Sequence, residues 1–333
     1  MKPKIKKLLP TTAIFLSILA IIFIFVSVKK NAVPTTISPA KLTLPKQYKG
    51  QYSVELDVKQ NDFQYIKELP ILEIEKTTIA TNKAQEIAEA LKFSGSPVTI
   101  NDPIDGPTYF WKNEKGTLFI YPRENKVKYT QNNDDYIINK QLSDEAIISL
   151  AITFLEENKI VEKGSLTTDH IKFLKKNSLL EGFIETTKND ASVYETEFVF
   201  KESGYEILEL SSIEPSVLVD INKDGTIAFL QSKTPGDIKK SLTNYQLKDF
   251  QEIKGSIGAA VLVSILGQYL SISALPEKLV QKISVNKIEI AYLKESSNSI
   301  FLQPVYKLSG DADISDPPNK VPAVLYLPAI KEI

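Results

Sequence analysis

The sequence predicts an α+β fold: an N-terminal transmembrane helix followed by tandem modules, each a helix packed on antiparallel sheet. Three observations predict it. Residues 8–28 carry no charge and consist mainly of Ile, Leu, Phe, Ala and Val. Downstream, apolar stripes at helical spacing recur ahead of segments that alternate apolar and polar residues. Turn clusters such as "KNEKG" and "RENK" separate those alternating segments.

The apolar run comes first. A helix of that length spans roughly 30 Å, the thickness of a bilayer's hydrocarbon core. Lys2, Lys4, Lys6 and Lys7 precede it, Lys29 and Lys30 follow it, and no A-x-A-like cleavage site ends it. These features predict a retained signal-anchor with its amino terminus inside. Residues 1–7 would be a cytoplasmic tail, 8–28 the anchor and 29–47 a linker rich in Pro, Thr and Ser. The expected location is the cell membrane, single-pass, with the C-terminal domain extracytoplasmic.

The expected modules span residues 48–140, 141–238 and 239–333. In the first, Ala84, Ile87, Ala88 and Leu91 form a helical stripe that Thr81 or Asn82 can cap. "TYFWK", "GTLFIYP" and "KVKYT" follow as strands. In the second, Ser143 is the predicted N-cap, with acids in the first turn. Ala146, Ile147, Leu150, Ala151, Phe154 and Leu155 face inward, ahead of "YETEFVFK", "YEILEL" and "SVLVDINKDGTIAFL". The third opens near "NYQLKDFQEIKGS" and ends in "KIEIAYL", "IFLQPVYKL" and "VPAVLYLPAI". Residues 255–276 are uncharged. Their serines, glutamine and glycines make them a core helix or strand pair, with a second span as the alternative.

Composition excludes several chemistries. Of 333 residues, none is cysteine and one is histidine, which removes disulfides, thiolate chemistry and any site needing two imidazoles. Forty basic and 41 acidic residues give a net charge of −1, so no field draws nucleic acid.

Individual motifs read as structure. "DINKDG", residues 220–225, begins like an EF-hand loop, but Gln231 stands where a bidentate Glu belongs and the flanks are strand-like. A β-hairpin turning on Asp-Gly is the favoured reading, and a weak calcium site the alternative. Asp169 adjoins His170 in sequence, which does not make a dyad. Asp102 and Asp105 lie in a Pro/Gly loop. Trp111, Tyr109, Phe110, Phe119 and Tyr121 form an aromatic hairpin, read as core, with a ligand platform as the sharper option. No catalytic, cofactor-binding or metal residue is expected.

Residues 283–310, "ISVNKIEIAYLKESSNSIFLQPVYKLSG", resemble the last module of extracytoplasmic regulatory proteins of the YycH/YycI type, and PepSY-like modules more broadly. The matching elements are the strand ending in Ala291-Tyr292, the polar turn, and Leu302-Gln303-Pro304-Val305-Tyr306 leading to Gly310. The resemblance implies a non-enzymatic, membrane-tethered protein that modulates an envelope sensor kinase or protease. It also implies that Tyr292 and Tyr306 pack, Pro304 marks an edge or bulge, Gly310 a turn, and that the hairpin closes a sheet. The expected partners are the membrane, through one helix, and an envelope protein. The rival expectations are a glycan or peptide hydrolase using paired carboxylates, and a ligand-binding module.

Overall fold

A computed structural model describes residues 42, 44–46, 48–103, 106–132, 141–176, 182–210, 215–265, 272–296, 299–315 and 318–331, with the side chains of Asp102 and Leu242 excepted. The predicted anchor at 8–28 lies outside the described residues.

Chain order begins with β1 (Ser53–Leu56), β2 (Glu68–Glu75) and α1 (Thr81–Ala90). Four strands follow: β3 (Val98–Asp102), β4 (Gly106–Asn113), β5 (Gly116–Tyr121) and β6 (Lys126–Gln131). After α2 (Asp144–Glu157) come β7 (Leu166–Lys176), β8 (Phe183–Glu185), β9 (Val193–Glu202) and β10 (Tyr205–Glu209). Then β11 (Val217–Asn222), β12 (Ile227–Lys233) and β13 (Asp237–Gln246) lead to α3 (Phe250–Ser256). The chain closes with β14 (Val261–Ile265), β15 (Val280–Lys294), β16 (Phe301–Ser315) and β17 (Pro318–Pro328).

All seventeen strands join one hydrogen-bonded network. One antiparallel stretch runs β3-β4-β5-β6-β12-β11-β9-β7-β8. β10 continues from β9 by a hairpin and pairs in parallel with β15. There the second stretch begins, β15-β16-β17-β14, with β1 parallel to the other half of β15. β2 pairs with β13 and with the start of β16.

This corrects the expectation of tandem modules. β6 from the first segment pairs with β12 from the second, and β1 and β2 pair with strands more than 160 residues later. Alternation reveals which face of a strand is buried but not which strand lies beside it. The single-pass membrane reading is corrected to what the described residues show: among them no helix is long and apolar enough to cross a membrane. Single-pass attachment, the membrane as partner and the extracytoplasmic location are withdrawn with it.

Local signals explain the helices. The Ser143 hydroxyl accepts the Ala146 N–H at 3.2 Å, capping α2 as predicted. Asp249 and Glu252 form a reciprocal capping box on α3. α1 differs: Ala80 holds the N-cap position, and the Thr81 hydroxyl shares a 2.9 Å hydrogen bond with Tyr109.

Two main cores result. The first packs Ala84, Ile87 and Ala88 of α1, and Ile147, Ala151 and Leu155 of α2, against one face of the first stretch. Trimming a fully buried Ile147 or Leu155 to Ala there costs about 2–5 kcal/mol. The second packs Ile253 of α3 against β14–β17. A smaller cluster joins Leu42, Leu208, Leu293, Val305 and Tyr326.

The terminal hairpin is β15–β16. Tyr292 and Tyr306 are buried, at 1% and 2% exposure, as the resemblance implies. Pro304 sits where the β17 ladder stops, since the β16–β17 register begins at Val305. Gly310 is not in a turn. It lies within β16 beside a register shift in β15, where the two backbones approach closely. The edges of the hairpin are partly covered: β1 flanks β15 at 282–285 and β10 flanks it at 292–294, while β17 and β2 flank β16.

Residues 255–276 divide into the end of α3, a short 3-10 turn, β14 and a second 3-10 turn, with 266–271 outside the described residues. β14 is a core strand paired with β17.

Candidate functional site

The first stretch of sheet buries one face under α1 and α2, and its other face carries the distinctive chemistry. Side chains alternate along a strand, so the registers fix three cross-strand rows on that helix-free face. One row runs Val98, Phe110, Phe119, Lys128, Gln231, Leu218, Glu197. A second runs Lys112, Thr117, Thr130, Phe229, Asp220, Glu195, Lys172. The third holds Ile100, Thr108, Tyr121 and Lys126. The face is therefore apolar and aromatic at β3–β5, basic at β6 and acidic at β11 and β9.

The aromatic end is ordered by ring contacts. Phe110 and Phe119 have centroids 4.7 Å apart, and Phe119 stacks on Tyr121 at 6.3 Å and 19°. Lys126 lies over Tyr121 and Lys128 over Phe229, at 5.8 and 5.4 Å from the ring centres. At the margin, Val98 is 61% exposed and Ile100 49%. Both belong to β3, which pairs with β4 alone among the described strands.

At the acidic end, Lys172 donates to Glu195 at 3.2 Å and to Glu197 beside it. Asp220 stands opposite Glu195 across β9–β11. Its Oδ1 is enclosed and has no hydrogen-bond partner among the described residues. Burial, and secondarily the Glu195 charge, push the Asp220 carboxyl up to about 7, while Lys172 opposes the shift. Burial pulls the Lys172 ammonium down, but Glu197 and Glu195 outweigh it and leave its pKa raised.

The Asp220 shift has a definite sign. Its carboxyl holds a proton in the folded state above its ordinary value of 3.8, whereas the unfolded chain has released it. Stability therefore falls as pH rises from about 4 to about 7, and the penalty is complete above that. At about 1.36 kcal/mol per unit the shift corresponds to roughly 4 kcal/mol at most. Asp220→Asn is expected to be more stable than the parent above pH 7 and to flatten the decline. Urea denaturation between pH 5 and 8 measures this, and parallel curves for the two proteins would refute it.

The residues singled out in the sequence scatter. Trp111 faces the core at 4% exposure, and its indole N–H donates to the Gly95 carbonyl at 3.1 Å. A platform on that hairpin thus rests on Phe110, Phe119 and Tyr121. His170 is exposed on β7, and Asp169, at a bulge, turns to Lys307 at 4.0 Å. Residues 220–225 form the β11–β12 hairpin, with Gly225 at φ +90°. Asp224 accepts from the Thr226 N–H and hydroxyl, Asn222 donates to Thr226, and Asp220 belongs to the charge cluster, so the would-be calcium ligands diverge. Asp105 lies outside the described residues. Among the described residues no group of His, Cys, Asp and Glu could hold a metal ion.

Lys172, Glu195 and Glu197 escaped notice in the sequence. The available signal was "YETEF", where two glutamates two residues apart share one face of a strand.

No family model matches the chain, and no curated protein matches it. A crystal structure of an uncharacterized protein from Eubacterium rectale is similar at 12% identity and a TM-score of 0.48, covering 84% of this chain and 91% of that one.

Proposed function

We propose that the chain acts as a protein-interaction module without catalysis of its own, and that its contact surface is the aromatic end of the helix-free face. The observation that carries this is the exposed margin: Val98 and Ile100 stand open on an edge strand, continuous with the Phe110–Phe119 pair. Contiguous exposed apolar surface of this kind marks a place where another molecule is bound. Modulation of a second protein, the role that the terminal resemblance implies, is the form such binding would take.

A second reading, hydrolysis by paired carboxylates, draws on Asp220 beside Glu195. Two features count against it. Lys172 engages Glu195 and Glu197, and the Asp220 Oδ1 is closed to solvent.

The test places a benzophenone side chain at position 119 and, as control, at Lys83 on the exposed side of α1. The expected result is one discrete protein adduct from position 119, none from 83, and loss of the first when Ile100→Lys is added. Ile100 is exposed, so that substitution changes stability by less than about 0.5 kcal/mol. Equal adducts from both positions, or none from 119, would overturn the reading.

A further inference from the structure

Natural sheets protect their edges with short strands, lysine or proline, because an open row of N–H and C=O groups recruits another chain. The two ends of the first stretch differ in this respect. β8 spans three residues and pairs with the lysine-bearing end of β7, Lys175 and Lys176. β3 is five residues long, reads Val-Thr-Ile-Asn-Asp, and contains neither lysine nor proline. We propose that β3 receives an extended peptide as an added antiparallel strand, its alternate apolar side chains seated on Ile100 and Val98 and a following carboxylate meeting Lys112. This rests on the protein-interaction reading above and names the class of partner.

The register sets the order of those side chains. Val98 lies opposite Phe110 where the β3–β4 ladder begins, and Lys112 lies two residues beyond Phe110 on β4, on the same face. An incoming antiparallel strand passes Ile100, then Val98, and then leaves the ladder toward the Lys112 end of β4. Its matching pattern is apolar-x-apolar-x-acidic. The carboxylate would sit two strand spacings from Lys112, roughly 10 Å between backbones, a gap that two long side chains close. Lys112 forms no ion pair among the described residues. Pro97 precedes β3 and has no N–H, which confines the added ladder to the strand itself. A single-stranded polynucleotide would also find aromatic rings and lysines here, but Asp220, Glu195 and Glu197 share the face and repel a polyanion.

The experiment is fluorescence anisotropy of the full chain with the labelled, end-blocked peptide Thr-Val-Thr-Val-Thr-Glu-Thr. Comparison probes are the same peptide with Lys for Glu, one with Pro for the Thr between the two Val residues, and oligothymidylate. The Glu peptide is expected to bind saturably, the Pro peptide not at all, and the Lys peptide roughly fivefold more weakly. On Lys112→Glu that preference reverses, and Ile100→Lys loses roughly tenfold or more in affinity for both. Equal affinity for Glu and Lys peptides on both proteins, or oligothymidylate binding that displaces the peptide, would overturn the proposal. If no peptide binds while the position-119 adduct persists, the added strand is wrong and the interaction reading stands. If the adduct is missing too, both fall.

Discussion

Lys172→Met is expected to lower stability by roughly 3–5 kcal/mol at pH 7.5, because it leaves buried carboxylates facing one another without their cation. Glu197 is 3% exposed, Glu195 lies in the next outward position, and Asp220 stands across from Glu195. The loss is expected to shrink at pH 5, where Asp220 retains its proton and contributes no charge. Methionine keeps most of the side-chain length, so packing along the Lys172 stem is largely preserved. Urea midpoints at the two pH values decide the matter. An equal loss at both would mean that the Asp220 charge has no part in what the lysine does. Asp220→Asn combined with Lys172→Met should recover part of the loss at pH 7.5, a non-additivity expected of groups in one cluster.

The second large effect belongs to Gly310. A methyl group built there meets the Ser284 carbonyl oxygen in hard overlap and lies 2.8 Å from both the Ser284 carbonyl carbon and the Val285 Cα. These are backbone atoms of β15, held by the ladder on both sides, and cannot rotate away. Gly310→Ala is therefore expected to cost about 3 kcal/mol, at the upper end for overpacking. Gly255→Ala is the control. Gly255 lies in α3 with nothing within 4 Å of an added methyl, so the change is expected to stabilise by about 0.5–1 kcal/mol. Thermal midpoints moving in opposite directions would support the account. A tolerated Gly310→Ala would show that the two strands can part at the register shift.

Much of the local structure was legible in the sequence. Ser143 ahead of two acids marks the start of α2, and Asp224-Gly225 marks the β11–β12 turn, because caps and tight turns depend on a few adjacent residues. The alternation in "GTLFIY" identifies Leu118 and Ile120 as core. The partnerships were not legible. Nothing in β6 distinguishes β12 from a nearer strand as its neighbour, and nothing in β1 points to β15. The interaction face was hidden for the same reason. Val98, Phe110, Phe119 and Lys128 are adjacent only through the register of four strands, and Asp220 meets Lys172 only through β9. Trp111 drew attention as the single tryptophan, while the exposed chemistry of its hairpin lies on the opposite side.

The pairing of β1 with β15 has a consequence for biosynthesis. Ser53 meets Lys282, so more than 220 residues must be added before the early strand finds its neighbour. At ribosomal rates of roughly 5–20 residues per second, that is a wait on the order of 10–45 seconds. Throughout it the nascent amino-terminal strands carry unpaired amide edges, and chaperone capture or premature association competes with completion of the native ladder.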